Sequence, residues 1–133
     1  MKELFVYTDG GARGNPGPAA IGVYIIDSNC KEIAKFGKRI GETTNNTAEY
    51  SAVIEALSWI KENIKEKTKV NFFLDSSLVV NQLNGIFKVK ENHLRNLLFH
   101  IRQLEQEISF VFLYKHLPRE KNKMADSLVN SCF

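Results

Sequence analysis

The chain has 133 residues, 44% hydrophobic and 25% charged, with a formal net charge of +3. That composition is ordinary for a globular domain, and no apolar run approaches the roughly 18 residues of a membrane span. The charge is unevenly placed. Residues 85 to 124 hold eight Lys or Arg against four Glu, and the remainder carries a net charge of −1, a distribution that suits a polyanionic partner as well as a solvated lysine-rich surface.

The opening residues, "MKELFVYTDG", run directly into an alternating pattern without the apolar h-region and small-residue cleavage site of a secretory leader, so a cytoplasmic location is expected. Residues 3–9 read as a strand with apolar groups on both faces, which suggests a central position. Residues 20–27 and 32–40 flank the polar turn "SNCK" and predict a hairpin. From Asn46 the period changes, and Ala48, Ala52, Val53, Ala56, Leu57 and Ile60 recur at helical spacing. "VNFFL" (70–74) predicts a short strand, and "SLVVNQLNG" a short helix that ends at Gly85.

A third helix is expected over 92–106 on the stripe Leu94, Leu97, Leu98, Ile101 and Leu104, then a strand over 108–114 and a last helix from about residue 120. The order βββαβααβα describes an α/β fold with a mixed sheet flanked by helices, in one domain spanning 1–133. Cys30 and Cys132 are too far apart for a short metal motif and read as free thiols. The glycines of 10–17 do not spell a phosphate-binding P-loop.

Carboxylates occupy positions where burial is expensive. Asp9 and Asp75 each follow an apolar strand, in the crevice where open α/β sheets gather ligands. Glu49 points along the mean direction of the helix's apolar residues, where an unpaired carboxylate is costly; the alternative is a capping box with Asn46 as N-cap and Glu49 at N3. Asp75 could equally belong to the cap of the following helix. Asp126 lies on a polar edge, with Asn122 and Asn130 four residues to either side, beside the stripe Met124, Leu128, Val129 and Cys132. Four such acids at one sheet edge would raise one another's pKa unless cations neutralised them, and hard oxygen-seeking ions such as Mg²⁺ resolve the conflict.

The strings "YTDGGARGNPGPAAIGVYI", "TTNNTAEY", "LDSSLVVNQLNG" and "HLPREKNKMAD" together resemble type 1 ribonuclease H, in order and spacing, over nearly the whole chain. The resemblance implies a five-stranded mixed sheet of order 3-2-1-4-5. It also implies an endoribonuclease that cuts the RNA strand of RNA–DNA hybrids and leaves 5′-phosphate and 3′-hydroxyl ends. The cofactors it implies are two Mg²⁺, with Mn²⁺ as a substitute, held by Asp9, Glu49, Asp75 and Asp126. By motif, Asn15 and Asn45 match minor-groove contacts, Thr44 a position near the DNA-strand phosphate, and His116 a mobile histidine that aids proton transfer or product release. Taken alone, His116 reads as an exposed histidine at a strand end. Gly10 and Gly11 are expected to let the substrate backbone approach.

Three departures accompany the resemblance. The loop after His116 is "LPREKN", stiffened by Pro118, where well-known bacterial members carry a glycine-bearing loop. Ser77 stands where a substrate-contacting Gln often follows "DS". There is no room for a basic handle between residues 85 and 92, so the chain resembles the short archaeal and bacterial branch, and Lys88, Lys90, Arg95 and the 115–123 cluster partly replace the handle. The expected partner is an RNA–DNA hybrid, with no membrane, and the expected state is a monomer. The alternatives are a non-catalytic hybrid-binding module and a DNA-directed nuclease of the same fold.

Overall fold

The computed structural model describes residues 2–133. Their elements are β1 (Lys2–Ala12), β2 (Gly17–Asp27), β3 (Glu32–Thr43), α1 (Asn45–Asn63), β4 (Thr68–Leu74), α2 (Ser77–Leu83), α3 (Asn92–Ile108), β5 (Val111–His116) and α4 (Lys123–Asn130), with a 3-10 turn at Arg119–Lys121 before α4. The strands form one sheet of order β3-β2-β1-β4-β5. The expected order and the central place of the first strand are both found. β1 pairs antiparallel with β2 and parallel with β4, and β5 extends the parallel half. No helix among the described residues is long and apolar enough to cross a membrane.

Side-chain alternation sorts the sheet into two faces. Leu4 and Val6 of β1, Ile21, Val23 and Ile25 of β2, and Val70, Phe72 and Leu74 of β4 are buried against α1, whose Ala52, Val53, Ala56, Leu57 and Ile60 are fully inaccessible. The expected helical stripe is thus the core-facing stripe. On the opposite face α4 lies over β1, β2 and β3. A Cβ at Gly22 would overlap the Ala125 carbonyl, and one at Gly37 would stand 2.7 Å from the Leu128 oxygen. Bare backbone at these two positions lets α4 rest directly on the strands.

Several boundaries differ from the sequence reading, each for a local reason. β1 runs on to Ala12, since Gly10, Gly11 and Ala12 keep pairing with Ile21, Ala20 and Ala19 after the parallel pairing with β4 has stopped at Tyr7–Phe73. Asp9 therefore lies within a strand, at the point where β1 and β4 part. Helix α1 starts at Asn45 with Thr44 as its N-cap, the Thr44 Oγ1 accepting from the Thr47 amide at 3.2 Å. Asn46 is not the cap. Helix α3 continues to Ile108, one further turn of its own apolar stripe, and ends at Ser109 in the left-handed region (φ 63°), so β5 begins at Val111 instead of 108. In α4 the buried positions are Ala125 and Val129, whereas Met124 is 39% exposed, because the contact with Gly22 requires a small residue.

Candidate active site

Asp9, Glu49 and Asp75 each present a carboxylate oxygen, and the three oxygens lie within 4.8 Å of one another. The elements responsible are separate: β1 carries Asp9, the first turns of α1 carry Glu49, and Asp75 follows β4. Asp126, in the first turn of α4, adds its charge to the Asp9 carboxyl, and all four acids line one cavity of about 520 Å³. The four acids singled out from the sequence are therefore brought together.

Glu49 is held by the main chain. Gly10 N–H donates to its Oε1 at 2.7 Å. Gly10 can approach α1 closely because it lacks a side chain; a Cβ there would collide with the Ala48 carbonyl. That gives Gly10 a role in packing the helix, distinct from the expected room for substrate. Gly11 is less confined, since its Cβ would meet only a Val129 methyl, at 3.8 Å. The capping-box alternative for Glu49 does not hold, because its carboxylate bonds across to β1.

The cluster is electrostatically unsatisfied. Burial, followed by the Asp75 charge, pushes the Asp9 carboxyl up to about 7. Burial and then the Asp9 charge raise Glu49 well above the usual carboxylate range, with the Gly10 amide opposing. With the acids ionised, Glu49 Oε2 is buried and has no donor among the described residues. The site can be relieved by a proton or by a cation, and an all-oxygen donor set of this kind suits a hard divalent ion.

The proton route has a measurable consequence. Without metal, the folded protein retains protons at Asp9 and Glu49 that the unfolded chain releases near pH 4. Their contribution to stability is therefore fully present below about pH 4 and is lost as pH rises toward about 7 for Asp9. Urea midpoints measured in EDTA from pH 4 to 8 will show Asp9→Asn gaining on the parent across that interval. Parallel curves for the two proteins would contradict the assignment.

Other predicted residues fall around the cavity. Asn45 lines it, and its Oδ1 accepts from the Ala12 amide at 2.9 Å, which leaves its Nδ2 as a donor without a partner among the described residues. Asn15 Oδ1 accepts from the Asn45 amide at 3.0 Å. Thr44 is the cap of α1, Ser77 opens α2 beside the cavity-lining Ser76, and His116 is exposed at the end of β5 without lining the cavity.

The sequence reading assigned no site role to Asn122, Arg13, Asn130 or the individual Arg119. Asn122 is 1% exposed; its Nδ2 donates to the Thr8 carbonyl at 2.9 Å and reaches Asp75 Oδ2 at 3.5 Å. Arg119 Nε stands 4.0 Å from Asp75 Oδ2 with its side chain 80% exposed, and Arg13 also lines the cavity, reaching Asn130 Oδ1 at 3.5 Å. The only sequence signal for Asn122 was its spacing, four residues before Asp126.

Residues 7–132 match the family described as "Reverse transcriptase-like". The chain is 36% identical to "Ribonuclease HI" of Halobacterium salinarum over 96% of its own length and 63% of that protein. It is 35% identical to a "Bifunctional protein" of Mycobacterium tuberculosis over 96% of its own length and 35% of that protein, so it spans under two thirds of either relative. Among solved structures it is similar to LC11-RNase H1 in complex with RNA/DNA hybrid, with a TM-score of 0.91, 43% identity, and coverage of 96% of this chain and 94% of that one.

Proposed function

The chain belongs to the type 1 ribonuclease H family, and on that premise we propose that it is an endonuclease hydrolysing the RNA strand of RNA–DNA hybrids. The observation that carries this reading is the convergence of Asp9, Glu49 and Asp75 within 4.8 Å, with the Asp126 charge beside Asp9. Among the described residues the one cation paired with that cluster is exposed Arg119, 4.0 Å from Asp75.

Asp9, Glu49, Asp75 and Asp126 would hold two divalent ions, Mg²⁺ with Mn²⁺ as substitute. When bound, such ions supply an activated water and neutralise charge on the scissile phosphate. The protein's own residues do the positioning. The Gly10 amide fixes the Glu49 carboxylate, and Asn122 ties Thr8, within β1, to Asp75. The Asn45 Nδ2, with Asn15 bracing its backbone, is placed to donate to the minor groove, where an RNA strand displays 2′-hydroxyls. Arg13 and Arg119 give the cavity two cationic walls for phosphates. His116, exposed and outside the cavity lining, would exchange protons with solvent as 5′-phosphate and 3′-hydroxyl ends form and leave. The cytoplasm is the compartment we assign to this activity.

The test is a panel of end-labelled hybrid, duplex RNA, duplex DNA and branched DNA, each incubated with Mg²⁺, Mn²⁺ or EDTA. We expect metal-dependent cleavage of the RNA strand of the hybrid, with ends that are substrates for ligase chemistry requiring a 5′-phosphate. Cleavage of DNA in preference to the hybrid, or hybrid binding without cleavage, would overturn the reading.

A further inference from the structure

The sheet face that carries Asp9 has a second feature, away from the acids. Cross-strand register places Lys35, Tyr24, Tyr7, Phe73 and Lys115 in a single row across β3, β2, β1, β4 and β5. The rings are contiguous. Tyr7 and Phe73 are stacked at 5.1 Å, Tyr7 and Tyr24 lie 6.2 Å apart, and Phe5 stacks on Phe73 at 6.3 Å from the next row. All four rings are partly exposed and lie outside the hydrophobic core cluster, so the packing of the fold does not account for them. Lys35 and Lys115 are exposed, and among the described residues neither is in an ion pair; the Lys115 Nζ stands 6.0 Å over the Phe73 ring.

We propose that this row is a binding platform for single-stranded nucleic acid, separate from the hybrid groove. Aromatic faces accept any base by stacking, and flanking cations hold the backbone phosphates, which is the combination found here. Because Tyr7 and Phe5 already stack on Phe73, the partly exposed Tyr24 ring at the β2 end of the row is the one offered to a base. Charge argues against a second copy of the chain as the occupant, because an aligned face-to-face pairing would bring lysine ends toward lysine ends. Position supplies the use: Tyr7 precedes Asp9 by two residues on the same strand and face, roughly 7 Å away. A single strand that continues beyond a hybrid seated on the acids could thus be held from behind the site.

The probe is a ten-residue oligothymidylate carrying 5-iododeoxyuridine, bound in EDTA, crosslinked with ultraviolet light and mapped by mass spectrometry. We expect crosslinks at Tyr7, Tyr24 or Phe73. Tyr24→Ser and the surface variant Lys35→Glu should each weaken binding, about tenfold for a lost stacked base, while Tyr24→Phe retains it. Cleavage of a blunt hybrid should stay within twofold of the parent in all three, which separates failure here from failure of the hydrolytic reading. Crosslinks confined to Arg13, Asn45 and Arg119, or unchanged affinity in Lys35→Glu, would overturn the proposal. Concentration-dependent self-association abolished by Tyr24→Ser would overturn it too, and assign the face to a second copy.

Discussion

Asp75→Asn is expected to lower cleavage of the RNA strand of a hybrid by about a thousandfold or more while leaving the protein folded. The substitution is isosteric and removes only charge. Asp75 raises the pKa of both Asp9 and Glu49, so the neutral amide relieves the buried pair and the metal-free variant should melt no earlier than the parent. The amide can keep its oxygen toward the Asn122 NH₂ that now reaches Asp75 Oδ2 at 3.5 Å, so that contact survives the substitution. Single-turnover cleavage in Mg²⁺, read beside a circular dichroism melt, checks both halves. Cleavage at the parental rate would remove Asp75 from the mechanism.

Gly10→Ala should cost about 3 kcal/mol of stability, which for a domain of this size lowers the melting temperature by roughly 10 °C. The new methyl meets backbone, the Ala48 carbonyl and the Glu49 amide, so no side-chain rotation can relieve the clash. Either α1 retreats from β1 or the strand bends. Both movements lengthen the Gly10 amide bond to Glu49 Oε1, now 2.7 Å, so activity should fall further than the unfolded fraction explains. Gly11→Ala is the control: its methyl has space, and its melting temperature should lie within about 3 °C of the parent. Parental melting temperatures in both variants, with cleavage lost in both, would show that substrate approach, and not helix packing, sets the need for glycine at residue 10.

Asp9, Glu49 and Asp75 were legible because a carboxylate is conspicuous in an apolar pattern, whereas Asp126, on a polar edge, was carried by the family resemblance. Glu49 interrupts the buried face of α1, and Asp75 directly follows "FFL". Asn122 was illegible for the opposite reason. Asparagine is common in turns, and only the Thr8 carbonyl, from a distant strand, reveals its bond. The same holds for Gly10, whose spacing to the Ala48 carbonyl depends on how α1 crosses β1. Element boundaries slipped where neighbouring signals overlapped: Ile108 belongs as well to a helical stripe as to the strand-like "ISFVFLY", and the left-handed Ser109 decides between them. Connection rules led to a mixed sheet flanked by helices, and its strand order came with the family resemblance; the rest required three-dimensional partners.

The bond from Asn122 to the Thr8 carbonyl joins residues 114 positions apart. Closing so large a loop is an entropically slow, late event compared with forming the β2–β3 hairpin or α1. During refolding, most secondary structure can therefore be present while Asp75 and Asp126 still lack their final placement. Recovered far-ultraviolet signal will lead recovered catalysis, and the interval between them times the docking of α4. If Asp126 serves as the ligand proposed above, recovered cleavage would report the docking of α4 and not the appearance of secondary structure.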